Sequence, residues 1–366
     1  MTGASGPGEG AAARHAPLRD AAQQQQLEEL GYVVVDLMSE DQVATMATAV
    51  DAIFVEQRSG FYASNMSNDH DARRAADALV RPFLVEVVGD DLFVDHEAFT
   101  ASLLVKWPDA NSSFHTHQDW TMVDERRYRT VNVWCPLVDT DEHNGALAVL
   151  PGSHRHLREI RCSPMPPSFH RSAGWEVGHA AMVKVPVRAG QAIVFDHALL
   201  HASPPNCSER WRPAVAAAFK PRSARLLHWY LPDPDGSELE VFEVGSSFFT
   251  DFDIGDRPDW PQVAVDEFTS SGLTRDELLD LCGVERSDVP AEGPPEDLLA
   301  GGAEALAGGG DAPAFDAASE DEARDRARIE ALLAGQPAYK RTSAWRWLRR
   351  TRARVSASRE RGADDG

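Results

Sequence analysis

The sequence has few basic residues for its size. Lysine and arginine total 36 among 366 residues, whereas aspartate and glutamate total 58, so the formal net charge is −22. A surface with this excess of negative charge repels phosphate backbones. The composition therefore excludes nucleic acid as the main partner of the protein.

Cysteine and long apolar runs are also scarce. The chain has four cysteines without a CxxC pair, which excludes a zinc knuckle and a disulfide framework and favours reduced thiols. No apolar run approaches the roughly 18 to 20 residues that cross a bilayer. The N-terminal segment lacks the apolar stretch of a secretory signal. We therefore expect a cytoplasmic protein that does not bind membranes.

Changes in composition divide the chain. We expect residues 1–25, rich in Gly, Ala and Gln, to be disordered, and residues 26–287 to form one domain. Residues 288–318 have the composition of a flexible linker, and residues 319–366 of a helical, basic tail. The segment 340–361 holds nine Lys or Arg and one acid, so it could contact an acidic partner or the acidic body itself. We expect the domain to fold without this tail.

Within the domain, short apolar runs alternate with turn residues between Phe99 and Phe219. This texture predicts a mostly β fold, a sandwich or jelly roll, with flanking helices. Asn144-Gly145 predicts a hairpin between two of the strands. Two long loops, Ser59–Asp71 and Arg161–His179, are candidate lids over a site.

The segment Phe114-His-Thr-His-Gln-Asp-Trp120 carries the first chemical signal. Residues two apart on a strand face the same side, so His117 and Asp119 can present an imidazole and a carboxylate to one cation. Taken alone, an HxD pair is a weak signal, because it arises often by chance.

A second signal is the stretch GQAIVFDHALLH, interpreted as a strand that ends in His201, and a third is Arg212 eleven residues later. Two histidines and one carboxylate on one face of a metal leave coordination positions open, as in non-haem Fe(II) oxygenases. A guanidinium at the mouth of an apolar barrel calls for an anion and is suited to bidentate carboxylate binding.

Taken together, HQDW, NGALAVLPGSH and GQAIVFDHALLHASPPN followed by Arg212 resemble the phytanoyl-CoA dioxygenase family of Fe(II)/2-oxoglutarate oxygenases. The resemblance runs from about Leu27 to Pro221. It implies a double-stranded β-helix, a cupin-like jelly roll, with a metal inside.

The resemblance also implies roles for individual residues. His117, Asp119 and His201 would be the iron ligands, and Arg212 would bind the distal carboxylate of the cosubstrate 2-oxoglutarate, with O2 as the oxidant. Lys106, on the strand before the HxD pair, is a further candidate for cosubstrate contact.

Several neighbouring residues allow more than one interpretation. His115 competes with His117 as a ligand, and His197 is expected to pack nearby or to support a ligand. Strand alternation predicts that Asn132 and Trp134 face into the barrel, where they are candidate cofactor contacts. Trp120 fits either the core or a substrate wall.

The expected activity is hydroxylation of a small molecule such as an amino acid, a peptide or a secondary-metabolite scaffold. An acyl-CoA is disfavoured because its phosphates need a basic cleft. Oxidative epimerisation, cyclisation and desaturation are alternatives within the class, and a non-catalytic jelly-roll binding protein is an alternative outside it. Halogenating relatives carry Gly or Ala where this chain has Asp119, so we expect no halogenation. The sequence does not indicate the oligomeric state.

Overall fold

The computed structural model describes residues 16–54, 58–164, 177–233, 235–253, 255–285 and 318–335. The helices in these ranges are α1 (Ala21–Leu30), α2 (Glu40–Ile53), α3 (His70–Val88), α4 (Phe248–Asp251), α5 (Arg275–Leu281) and α6 (Ala318–Gly335). The basic segment 340–361 and almost all of the expected linker lie outside the described residues.

The strands of the first half are β1 (Tyr32–Asp36), β2 (Phe61–Ala63), β3 (His96–Lys106), β4 (Phe114–His117), β5 (Val131–Pro136) and β6 (Leu147–Val149). The later strands are β7 (Val183–Val185), β8 (Gln191–Asp196), β9 (His201–Ser203), β10 (Arg212–Pro221), β11 (Leu227–Tyr230), β12 (Glu238–Glu243) and β13 (Gln262–Glu267).

Two antiparallel sheets form the central layers. The larger sheet has the strand order β1-β8-β5-β10-β3-β2, and the smaller has the order β4-β9-β6-β7. Apart from β2-β3 and β6-β7, neighbouring strands in each sheet are not consecutive in sequence, so the chain crosses repeatedly from one sheet to the other. This is the double-stranded β-helix that the sequence predicts, a mostly β fold with flanking helices.

The larger sheet separates two apolar layers. Its outer face packs on α2 and α3 through a cluster that includes Val50, Val80, Val133 and Val215, while Trp134 and Phe195 on the inner face meet residues of the smaller sheet. Strand alternation places successive residues on opposite faces. Asn132 and Trp134 therefore face inward, as expected, and their neighbours Val131 and Val133 face the helices.

Local sequence signals position the helices. Ser39 and Gln42 form the predicted capping box of α2, and Thr274 and Glu277 form that of α5. Asp69 caps α3 by accepting hydrogen bonds from two backbone amides of the first turn.

Three local expectations differ from the structure. The stretch from Gly190 to His201 is two strands in different sheets, because β8 ends at Asp196 and the chain turns before β9. Asn144-Gly145 likewise joins strands of different sheets and forms no hairpin. Ordered structure begins before residue 26, since Asp20 caps α1 and Leu18 pairs with Phe93.

The segment after Pro221 is built onto the jelly roll. Strands β11, β12 and β13 form a third antiparallel sheet. Helix α6 packs against α2 and α3, with Ile329 only 1% exposed inside their apolar cluster. Arg58 binds Asp325 of α6 through two hydrogen bonds of 2.7 and 2.8 Å. The described part of the expected tail is therefore in contact with the domain. The described residues include no helix that is long and apolar enough to span a membrane.

Candidate metal centre and cavity

A cavity of about 250 Å³ lies between the two sheets. Strands β4 and β9 of the smaller sheet and β3, β5 and β10 of the larger sheet contribute to its wall. His117, Asp119, His201 and Arg212, the residues singled out from the sequence, all line it.

The two histidines face each other across a strand pair. His117 is the register partner of His201, and their ring centroids are 4.1 Å apart. The Nδ1 atom of His117 lies 2.9 Å from the carbonyl oxygen of His115, and that of His201 lies 2.9 Å from the carbonyl of Leu199. A carbonyl only accepts hydrogen bonds, so each Nδ1 donates and each Nε2 is left with a free lone pair.

Asp119 completes the group, although it does not lie on the strand as the sequence argument assumed. Strand β4 ends at His117, and the Asp119 amide donates to the carbonyl of His197 at 3.0 Å. Its Oδ2 accepts a 2.6 Å hydrogen bond from Asn132, while Oδ1 lies 4.0 Å from Nε2 of His117.

One donor atom from each of His117, Asp119 and His201 lies within 4.8 Å of the others, which is close enough for one metal ion. Burial and the nearby His201 hold the pKa of His117 well below its usual value, so this imidazole is a neutral ligand at physiological pH. Burial opposes ionisation of Asp119, but its three histidine neighbours and Asn132 keep its pKa below its ordinary value. Two imidazoles and one carboxylate suit divalent iron.

Arg212 is buried in the same cavity, and no carboxylate of the described residues pairs with it. Its side chain is among the largest fully buried ones, and its Nε and Nη1 atoms have no hydrogen-bond partner in the described part of the chain. The guanidinium carbon lies 5.2 Å from the centre of the Trp134 ring. Burial lowers the pKa of Arg212 to about 9, which leaves it cationic at neutral pH. An unpaired buried cation is costly, so this position fits a carboxylate ligand.

Lys106 pairs in register with Arg212 but is engaged elsewhere. Its ammonium donates to the carbonyls of Ser203 and Pro204 at 2.7 and 2.6 Å and is not among the atoms of the cavity wall. Gly145 adopts φ +79°, and a β-carbon there would come within 2.7 Å of the Pro204 carbonyl. Glycine therefore lets this turn pack closely beside Lys106.

The two competing histidines take other positions. His115 lines the cavity with its ring centroid 5.6 Å from that of His117, but it does not belong to the three-residue donor group. His197 lies in the turn between β8 and β9, where its carbonyl holds the Asp119 amide. This turn brings His197 near the site.

Sequence reasoning missed the end of the cavity opposite Arg212. Three phenylalanines after Pro221, Phe248, Phe249 and Phe252, line that end together with Trp120 and Arg73. The sequence signal that could have indicated this end is the run SSFFTDFD, in which Phe248 and Phe252 are four residues apart and so would share one face of a helix. Trp120, which fitted either core or wall, lies on the wall and also packs against Phe252.

Comparison with known proteins identifies a dioxygenase family and individual dioxygenases that are similar to this chain. The family model of phytanoyl-CoA dioxygenase (PhyH) matches residues 27–214. The chain is 26% identical over 232 residues to an ectoine dioxygenase of Sphingopyxis alaskensis, covering 54% of this chain and 74% of that protein. It is 28% identical over 161 residues to an ectoine dioxygenase of Stutzerimonas stutzeri, covering 38% and 51% of the two chains.

Solved structures that resemble this chain include EctD from S. alaskensis with 2-oxoglutarate and 5-hydroxyectoine, at 23% identity and a TM-score of 0.38 over 57% of this chain and 78% of that one. Another is the α-ketoglutarate-dependent carbocyclase SnoK from nogalamycin biosynthesis, at 19% identity and a TM-score of 0.39 over 57% and 86%. The family model matches more than half of the chain, and the protein therefore belongs to the phytanoyl-CoA dioxygenase family of non-haem iron, 2-oxoglutarate-dependent dioxygenases.

Proposed function

We propose that the protein binds Fe(II) through His117, Asp119 and His201, holds 2-oxoglutarate with Arg212, and hydroxylates an unactivated C–H bond of a small molecule. The observation that carries this proposal is that one cavity contains both the three-residue donor group and the buried guanidinium of Arg212, two of whose nitrogen atoms have no hydrogen-bond partner among the described residues. A metal site alone would fit many proteins. A buried cation in the same cavity adds the requirement for an anionic cosubstrate.

When bound together, iron, 2-oxoglutarate and O2 supply an oxidant strong enough to attack a C–H bond, so no general base is needed. The carbonyls of His115 and Leu199 fix the two imidazole rings, and Asn132 fixes the carboxylate of Asp119. These contacts would hold the three side chains in place as ligands of the iron.

At the cosubstrate end, Arg212 would neutralise the distal carboxylate while Trp134 covers the face of the guanidinium. Asn132 would act through Asp119 and not by touching the cosubstrate. Lys106 would maintain the shape of this end by holding the Ser203 and Pro204 carbonyls. The apolar walls exclude bulk water, which protects the oxidant from side reactions.

Asp119 also bears on the reaction outcome. A carboxylate at this position fills the place that a halide would need, so we propose oxygen transfer and no halogenation. The relatives named ectoine dioxygenase support a small-molecule substrate. Epimerisation, cyclisation and desaturation by the same centre depend on how the substrate is placed.

The experiment is turnover of 2-oxoglutarate under 18O2 with Fe(II) and a panel of small molecules. We expect succinate release, stimulated by a true substrate, and a product that gains one labelled oxygen even in high chloride. His201→Ala should release no succinate, and Arg225→Ala, an exposed arginine paired with Glu243, is the control. Failure to consume 2-oxoglutarate would favour the non-catalytic binding protein, and a chlorinated product would refute the role of Asp119.

A further inference from the structure

We infer that the substrate is an uncharged molecule with an apolar ring system, bound against an aromatic wall at the end of the cavity away from Arg212. This inference rests on the proposed function, because it assigns the occupant of the same cavity. The aromatic wall consists of Phe99, Trp120, Met122, Phe248, Phe249 and Phe252.

The rings of the aromatic wall pack against one another. Phe99 and Phe249 have ring centroids 5.0 Å apart, and Phe248 and Phe252 stack at 4.3 Å with an angle of 24° between their planes. Trp120 lies 6.1 Å from Phe252 in an edge-to-face arrangement. Such spacings are those of stable aromatic pairs, so the wall is a fixed surface that can accept another ring.

A buried histidine supports the aromatic wall from behind. His228 is 1% exposed, and its ring centroid lies within 4.7 to 5.7 Å of those of Phe248, Phe252 and Trp120. Burial lowers the pKa of His228 to about 3, so the ring is neutral at physiological pH. The support therefore adds no charge to this end of the cavity.

The charges on the cavity wall argue against a charged substrate. Asp119 is the one acid among the described lining residues, and it belongs to the donor group that would hold iron. A cationic substrate would find aromatic faces there, but no lining carboxylate that the metal leaves free. An anionic substrate would meet Arg73, which is already engaged with the carbonyls of Ser67 and Phe252 and with the carboxylate of Asp253.

Among the polar groups near this end, Gln118 is committed, whereas Nε2 of His197 is buried without a hydrogen-bond partner among the described residues. The Gln118 amide donates to the carbonyls of Leu157 and Ala198, at 3.2 and 2.6 Å. Asn65 lines the cavity from an exposed position, where it could orient one hydroxyl or carbonyl group of the substrate. Recognition would therefore combine ring packing with few polar contacts, as is usual for small-molecule pockets.

The family match points to where this specificity arises. Residues 27–214 match the family model, whereas Phe248 and Phe249 of α4 and Phe252, which follows α4, lie outside that range. The carbonyl of Phe252 is held by Arg73 of α3 at 2.5 Å. Half of the aromatic wall is thus supplied by a segment added after the jelly roll and fixed to it by this contact.

The test measures direct binding to the metal-free protein by calorimetry and needs no turnover. The probes are 2-naphthol, an uncharged ring system, tetramethylammonium as a cation, and glycine betaine as a zwitterion. We expect 2-naphthol to bind more tightly than the other two. Phe249→Ala should weaken 2-naphthol roughly tenfold and Phe249→Leu less, because leucine keeps apolar volume without a ring. Trp260→Ala, which removes a surface aromatic outside the wall, is the matched control.

Tighter binding of tetramethylammonium or betaine than of 2-naphthol would overturn the inference. Equal 2-naphthol affinity in Phe249→Ala and Trp260→Ala would also overturn it. Two further measurements use the same wild-type preparation after loading with Fe(II): the binding of 2-oxoglutarate and the release of succinate. They separate a wrong substrate class from failure of the proposed function. If 2-oxoglutarate is consumed but 2-naphthol does not bind, the substrate class alone is wrong. If 2-naphthol binds but 2-oxoglutarate is not consumed, the proposed function alone is wrong.

Discussion

The two ends of the cavity are built in different ways. At the donor end, Arg212 lies on a strand whose register is set by long antiparallel ladders, and His117 and His201 are register partners in the short β4–β9 pair. At the aromatic end, the wall combines Phe99 of β3, residues of the loop after β4, and the short helix α4 with the residue that follows it. The donor end is thus fixed by backbone pairing within the sheets, and the aromatic end by side-chain contacts between the jelly roll and the segment that follows it.

The stabilising contacts follow the same division. Arg73, Arg74 and His70 of α3 reach Asp251 and Asp253 around α4. Arg326 of α6 reaches Asp69 and Asp71 at the start of α3. A chain of ion pairs therefore connects α6, α3 and α4. Substrate preference can therefore change through these segments while the donor end stays intact, and three substitutions test the separation of the two ends.

The largest expected effect is that of Arg212→Ala on cosubstrate binding. A buried charge that loses its partner costs about 2 to 5 kcal/mol, so the affinity for 2-oxoglutarate should fall by at least an order of magnitude. Arg212→Lys should recover only part, because it lacks the bidentate fork. Calorimetric titration of each variant is the measurement, with the exposed Arg225→Ala as control. Unchanged affinity for 2-oxoglutarate in Arg212→Ala would show that another residue binds the distal carboxylate. The donor end would then not be the cosubstrate end of the cavity.

A second effect concerns the attachment of α6. The Asp325 side chain is 2% exposed and pairs with Arg58 and Arg328, so Asp325→Asn should lower the free energy of unfolding by about 3 kcal/mol. The Asp36 side chain is 82% exposed in its pair with Arg188, and Asp36→Asn should change stability by less than about 1 kcal/mol. Urea unfolding of both variants measures the difference. Equal stability of the two would show that α6 contributes little to the domain, as the sequence alone suggested.

The smallest effect is expected for Asn132→Ala. Asn132 holds the carboxylate of Asp119 without joining the donor group, and loss of such a supporting contact lowers metal affinity by roughly 10- to 100-fold. Competition for Fe(II) against a chelator under anaerobic conditions measures this affinity. Thr130→Ala, on the buried approach to β5 and outside the cavity wall, is the control. If Asn132→Ala lost Fe(II) binding as completely as His201→Ala, Asn132 would be more than a positioning residue.

The donor end was largely predictable from the sequence, although one step of the reasoning was wrong. The HxD pair, His201 and Arg212 occur in an order that the resemblance made specific, and all four side chains line one cavity. Asp119, however, follows the end of β4 and is placed by the carbonyl of His197. Spacing identified the residues, but a long-range hydrogen bond sets the geometry.

The aromatic end could not be predicted in the same way. Nothing near Phe248 in the sequence indicates that it approaches Trp120, because the two meet only through the packing of α4 against the jelly roll. The orientation of α4 depends on the contact between Arg73 and Phe252, which are 179 residues apart. Contacts of this range leave no periodicity or motif in a single sequence.

The central claim is that one cavity holds iron and 2-oxoglutarate together. The direct measurement is anaerobic titration of the Fe(II) protein with 2-oxoglutarate, followed by visible absorption. We expect a weak charge-transfer band in the wild type, a shift of its midpoint to higher 2-oxoglutarate concentration in Arg212→Ala, and no band in His117→Ala or His201→Ala. Persistence of the band in both histidine variants would contradict the account.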